Sequence, residues 1–283
     1  MTPTDAAGAE ATTLRDAPRP SAFGSSWRRF FQILWVMASM RFKELYRGAV
    51  LGYLWSLMRP LLLFGVLYVV FTHVIRFGQD IPYYAPLLLF NLMIFQFFVD
   101  ATNASVRSLV ANETIVRKTH FPRAAVPLSA VLTSVFTLGT NLIVVAGFFI
   151  ATGVPFQWTW LAVPFALVPL LLVTAAFAML LAVLYVRYRD VLQIWGVVTR
   201  ALFYVTPVLY PAELVPENLR IFLSMNPLAP TLVENRQLLF GADTPSMLEL
   251  TGSLGIAIAV ALMLVIVAVS LAGFIGMAPR TAE

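Results

Sequence analysis

Long apolar runs alternate with short polar stretches along most of this chain. The runs cover about 50–75, 84–108, 124–151, 160–186, 191–210 and 250–275. A helix needs about 20 apolar residues to cross the hydrocarbon of a bilayer. Only helices and closed barrels satisfy their backbone polar groups there. The pattern therefore predicts an all-α polytopic membrane protein with six transmembrane helices. The second run turns polar at Asp100, Thr102, Asn103 and Ser105. The third carries Ser129, Thr133, Ser134, Thr137, Thr140 and Asn141, and small hydroxyl residues in a span usually serve helix packing.

The polar stretches differ from one another. Residues 1–26 are rich in Ala, Thr, Pro and Ser and predict a disordered N-terminal tail with no signal peptide. Residues 27–47 set Trp27, Phe30, Phe31, Leu34 and Trp35 beside Arg28, Arg29, Arg41, Lys43 and Arg47. That apolar stretch is short for a span and fits an amphipathic helix in the interface; a first transmembrane helix is the alternative. Residues 107–123 hold Arg107, Arg117, Lys118 and Arg123 against one acid, Glu113, and end at Phe121-Pro122. The residue before a proline is pushed out of the helical region, so a short helix over about 112–121 is expected, with an ordinary basic loop as the alternative. In 211–249 two apolar pieces, about 214–225 and 231–240, flank a break at Asn226-Pro227-Leu228-Ala229-Pro230. Pieces of this length suggest a re-entrant helical hairpin or a pair lying on the surface.

Composition agrees with this reading. Sixty per cent of the 283 residues are hydrophobic and only 12% are charged, against about 25% in soluble domains. One unit over 27–275 with a short tail, 276–283, accounts for the chain. The basic excess speaks to topology and lipid headgroups rather than to nucleic acid. Most of the 19 Lys and Arg fall in the N-terminal part, the 107–123 loop, the 187–190 loop and the tail. The positive-inside rule puts those segments and both termini in the cytoplasm, and 211–249 outside.

Candidate chemistry is sparse. There is no cysteine, and His73 and His120 stand far apart with no acids at metal-ligand spacing. Neither Lys43 nor Lys118 belongs to a phosphate-cradling Gly-Lys-Ser/Thr loop. A membrane-embedded transferase would need a cluster of acids or histidines at one face. A gradient-driven flippase would bury several acids, and Asp100 is the one acid well inside a run. The expectation is a transport subunit, not an enzyme, driven by a separate ATPase that docks on its cytoplasmic loops.

Particular residues sharpen this. The stretch Arg47-Gly48-Ala49-Val50-Leu51-Gly52-Tyr53-Leu54-Trp55-Ser56-Leu57 with Pro60-Leu61 resembles the opening of the first span of polysaccharide-export ABC transporter permeases. Ile115-Val116-Arg117-Lys118 with Phe121-Pro122-Arg123 resembles the segment around that family's coupling helix. Arg189-Asp190-Val191, Thr206-Pro207-Val208-Leu209-Tyr210-Pro211 and Asn226-Pro227 resemble its fifth span and external hairpin. The resemblance covers about 27–275 and departs at Arg59 and Arg200.

It implies a homodimeric permease in the bacterial inner membrane, paired with two ATPase subunits that hold ATP and Mg. The chain itself would carry no cofactor. The cargo would be a polyprenyl-linked glycan of O-antigen, teichoic acid, capsule or galactan type, and arginine-rich composition favours a galactan. A drug or small-lipid permease is the alternative within the superfamily. Asn112, Glu113, Arg117, Lys118, His120, Phe121 and Arg123 would contact the ATPase. The first and fifth spans would line the conduit. Tyr53, Trp55, Tyr68, Phe71, Phe203, Tyr204 and Tyr210 sit on them as candidate stacking surfaces, with lipid-facing belts as the alternative. Arg59, Arg200 and Asp100 lie at similar depth, where a lone charge costs about 3 kcal/mol. Asp100 is expected to pair with Arg59, leaving Arg200 to meet a phosphate in the conduit. The alternative has both arginines sharing Asp100 and backbone carbonyls.

Overall fold

The computed structural model describes residues 27–46, 52–114, 121–241 and 244–277, with side chains except at 46, 52–56, 77 and 80. The expected tails, 1–26 and 278–283, lie outside the described residues. Among the described residues every regular element is helical. The longer helices are α1 (Trp27–Tyr46), α2 (Gly52–Val69), α3 (Tyr84–Val106), α4 (Ala125–Ala151), α5 (Val168–Arg187), α6 (Val191–Val205), α7 (Ala229–Phe240) and α8 (Met247–Met277).

Helix α3 is the centre. Leu88, Leu89, Met93, Phe98 and Ala101 are fully buried on it, because α2, α4, α5 and α6 all pack against it. Truncating a ring such as Phe98 here would cost about 3–5 kcal/mol. Helix α8 stands outside, against α5, where Ser270 donates to the Ala176 carbonyl. Helix α1 crosses α4 at Ala38, whose lack of bulk lets the Thr133 hydroxyl reach its carbonyl at 3.3 Å. Phe30, Ile33, Leu34 and Met37 continue that buried stripe at helical spacing.

Five stretches are long and apolar enough to cross a membrane: Leu57–Val74, Tyr84–Val106, Ala125–Ala151, Trp158–Arg187 and Met247–Gly276. The expected fifth span, 191–210, is shorter than the pattern suggested. Its helix stops at Val205, and Thr206 is extended at φ −79, ψ 140. Fifteen residues of helix reach about 22 Å, short of the hydrocarbon thickness. Pro207 explains the stop, since it disfavours helical geometry at the residue before it.

The expected fourth span, 160–186, is interrupted. A short helix, Val163–Ala166, precedes α5, with Pro164 and Pro169 each in the first turn of its helix. The expected hairpin is likewise less regular. Its first limb consists of single turns at Ala212–Leu214, Glu217–Leu219 and Ile221–Ser224, and only the second limb is a full helix, α7. Helix α8 bends at Gly252, whose φ of 69 and ψ of −177 suit only glycine. Gly78 meets a different demand: a Cβ there would lie 2.5 Å from the Tyr84 ring.

Candidate functional site: a charged helical face, a basic loop and a clamped cap

Helix α6 is fixed on one side and open on the other. Trp195 and Thr199 are buried, and the Trp195 indole donates to the Thr102 hydroxyl of α3 at 2.9 Å. Phe203 meets Phe95 of α3 edge-on at 5.2 Å. The opposite face exposes Ile194, Val197, Arg200 and Tyr204. Helix α2 repeats the arrangement. Leu61, Phe64 and Tyr68 pack towards the core, with Tyr68 stacked on Phe64 at 5.8 Å, and Phe71 is half-buried below them. Arg59, Leu62 and Val66 are exposed. Tyr53 and Trp55 lie in α2, but their side chains are outside the described residues.

Asp100 does not close with Arg59 into a direct contact. Its Oδ1 accepts from the Gln96 amide one turn away at 2.7 Å, while the Arg59 charge acts on it through space. Arg200 is exposed on α6. Tyr210 folds back so that its hydroxyl donates to the Val205 carbonyl at 3.2 Å, pinning the extended stretch after α6. Burial pushes its phenol above the ordinary tyrosine value.

The basic loop leaves α3 through a short helix, Ser108–Ala111, which Asn112 closes by donating its amide to the Ser108 carbonyl at 2.7 Å. Glu113 is exposed. Arg117, Lys118 and His120 fall in 115–120, outside the described residues. The chain is non-helical at Phe121 and Pro122, as the proline requires, and Pro122 starts the turn into α4 through Ala125 N–H at 2.9 Å. Phe121 packs against the buried cluster that includes Phe30, Leu109 and Ala124. Arg123 is half-buried, and burial pulls its guanidinium below the ordinary value.

At the other end, polar side chains clamp 206–247 into one block. The Asn226 amide donates to the Thr206 hydroxyl, and its oxygen accepts from Leu228 N–H, both at 2.9 Å. Asn91 donates to the Pro207 carbonyl at 3.2 Å, and the Tyr84 hydroxyl donates to the Leu209 carbonyl at 2.9 Å. Arg236 pairs with Glu213, and Arg220 holds the Glu213 and Val215 carbonyls at 3.1 Å. Glu234 accepts from Met247 N–H at 2.9 Å, tying α7 to α8. Sequence reasoning located the Asn226-Pro227 break but not this clamp. Its signal was polar groups at the ends of apolar runs and within them, Tyr84 and Asn91 among them. Their partners are backbone carbonyls more than a hundred residues away, which no local pattern displays.

Nothing in the described residues gathers three His, Cys, Asp or Glu into a metal-binding group. The arrangement offers surfaces and charges rather than reactive groups.

The chain is similar to known permeases over most of its length. It is 30% identical over 210 residues, 74% of this chain and 80% of the relative, to the O-antigen export system permease protein RfbA of Klebsiella pneumoniae. It is 31% identical over 223 residues, 75% of this chain and 83% of the relative, to the protein of the same name in Myxococcus xanthus. Residues 32–240 match the family described as ABC-2 type transporter, a span that takes in α1, the basic loop, the open faces of α2 and α6, and the clamped cap through α7. The chain belongs to the ABC-2 type transporter family.

Proposed function

We propose that this chain is the permease subunit of an ABC exporter that carries a lipid-linked polysaccharide across the bacterial inner membrane. The observation that carries the cargo class is the similarity, over three quarters of the chain, to relatives named as O-antigen export permeases. Energy comes from ATP and Mg in separate ATPase subunits. Two copies of the chain assemble, with α6 as a sixth, shorter crossing and both termini in the cytoplasm.

The open faces of α2 and α6 support the dimer and the conduit. Arg59 and Arg200 are exposed there among Leu62, Val66, Val197 and Tyr204. A face turned to lipid would put each guanidinium in hydrocarbon at about 3 kcal/mol. A face turned to a second subunit around a wet conduit avoids that cost. Arg200 there meets the phosphate of a polyprenyl-linked glycan, and Tyr204 offers its ring to sugars. Helix α1, with Trp27, Phe31 and Trp35 exposed along one stripe, lies in the cytoplasmic interface. The basic loop docks on the ATPase through Asn112, Glu113, Arg117, Lys118 and neighbouring residues.

The test is reconstitution with the neighbouring ATPase and a lipid-linked oligosaccharide. Arg117→Glu with Lys118→Glu should abolish export and association with the ATPase while the permease still folds. Arg200→Gln should keep its yield and lose substrate stimulation of ATP hydrolysis. Normal export by the double variant sinks the docking reading, and normal stimulation of Arg200→Gln sinks the phosphate contact.

A further inference from the structure

Between α1, α3 and α4, with Leu192 of α6 at its edge, lies a cleft of about 820 Å³. That volume falls within the usual range for ligand pockets, about 300–1,000 Å³. One wall is a single face of α3: Arg107, Asn103, Asp100 and Phe97, receding from the end of the helix at successive turns. The facing wall is α4, with Thr133, Ser134, Thr137 and Asn141 on one side of the helix. The Ser105 hydroxyl, 3.2 Å from the Pro127 carbonyl, fixes the two helices antiparallel. Arg107 therefore stands at the mouth and Asn141 at the far end, about 20 Å in. Arg41 and Glu44 of α1 complete the mouth. Burial pulls the Arg41 guanidinium below its ordinary value, with Glu44 opposing.

The α4 wall has a definite hydrogen-bonding sense. A hydroxyl has one hydrogen to give. Thr133 gives its hydrogen to the Ser129 and Ala38 carbonyls, Ser134 to Ala130 and Thr137 to Thr133. Their lone pairs remain for whatever fills the cleft. Asn141 is 6% exposed, and its Oδ1 has no partner among the described residues. A buried acceptor left unmet costs about 1–3 kcal/mol, so this atom calls for a donor. The carboxylate of Asp100, on the facing wall nearer the mouth, adds more acceptor capacity. A free phosphate keeps too few hydroxyl donors near neutral pH to answer the whole wall. A polyol can answer it.

We propose that the cleft binds a hydroxyl-rich group carrying a phosphate, its hydroxyls donating along Thr133, Ser134, Thr137 and Asn141 and its phosphate held at the mouth by Arg107 and Arg41. In an exporter of lipid-linked glycans, this makes the cleft a place within each subunit where a phosphosugar head is held. The choice of sugar rests on the proposed function; the existence of the site does not.

The full chain in lipid nanodiscs, without the ATPase, is titrated calorimetrically with glucose 1-phosphate, glucose and inorganic phosphate. Glucose 1-phosphate should bind tightest. Thr137→Val and Asn141→Leu should each weaken it about tenfold while leaving inorganic phosphate unchanged, and Arg107→Gln should weaken both. Thr140→Val, which gives its hydrogen to Thr137 and does not line the cleft, should bind as the unaltered chain does. Discs containing phosphatidylinositol identify the source. Competition assigns a membrane-borne head, and its absence assigns a soluble one. Inorganic phosphate binding as tightly as the sugar phosphate, or unaltered binding by both Thr137→Val and Asn141→Leu, overturns the site. Because ATP is absent, a failure of export leaves these results standing, and a failure of binding leaves the export reading standing.

Discussion

The two ends of this bundle use polar side chains in opposite ways. At the capped end several reach another segment: Asn226 to Thr206, Asn91 to Pro207, Tyr84 to Leu209, Arg236 to Glu213. At the end of the basic loop, the hydroxyls of α4 mostly bond to the turn before them on their own helix. Thr133, which also reaches Ala38, is the exception among the cleft-lining hydroxyls. The capped end is thus cross-linked, and the loop end is lined. A cross-linked end moves as a block. A lined end keeps its hydrogen-bonding capacity for something that arrives, and beside it Phe30, Leu109 and Phe121 join α1 to the neighbouring chain by apolar packing. Such packing carries little directional preference, so it tolerates small sliding better than the clamp does.

The largest effect of breaking the clamp should come from Asn226→Leu. Asn226 is 5% exposed and serves both as donor to Thr206 and as acceptor for Leu228 N–H. Its loss strands both partners in a buried setting, at about 2–4 kcal/mol. Thermal unfolding in detergent should show a lower midpoint for the whole chain. A midpoint unchanged from the parent would mean that the cap is not a clamp.

Tyr84→Phe removes one link and keeps the ring. The hydroxyl is buried, and its partner is the Leu209 carbonyl, 125 positions along the chain. A loss of about 1 kcal/mol is expected, smaller than for Asn226 because one bond goes and Gly78 still packs on the same ring. The readout that isolates the link is hydrogen exchange. Protection should fall across 206–211, where Tyr84 and Asn91 hold the extended chain, and stay unchanged in α4. Unchanged protection at 206–211 would remove Tyr84 from the clamp.

Why the apolar framework was legible and the clamp was not follows from the same contrast. Helices α3, α4 and α8 lie close to where the runs 84–108, 124–151 and 250–275 put them, because burial and backbone satisfaction act over contiguous stretches. The pattern overran at Val205, where apolar character continues through Val208 and Leu209 but Pro207 ends the helix. Hydropathy does not register backbone geometry. The direct Asp100–Arg59 pair was inferred from shared depth and from the packing of adjacent spans. Depth omits the side chain one turn away, and Gln96 is the group that bonds Asp100. The cleft was half legible. The polar face of α3 and the hydroxyl row of α4 were read singly, but only the antiparallel packing of the two helices turns them into one cavity.

The smallest stability effect should belong to Thr137→Val, and that smallness is what sharpens the comparison. Thr137 gives its hydrogen to the Thr133 carbonyl at 3.3 Å, a carbonyl within the same helix. Valine matches threonine in shape and suits a helix that packs through its small residues. No partner on another segment is stranded, so the unfolding midpoint should move by less than about 0.5 kcal/mol in either direction. Tyr84→Phe also deletes a single hydroxyl, yet it should cost clearly more, because its bond joins distant segments. The pair therefore compares one oxygen atom used for cross-linking with one used for lining. If Thr137→Val unfolds as early as Tyr84→Phe, the α4 hydroxyls are holding helices together, and the contrast between the two ends fails.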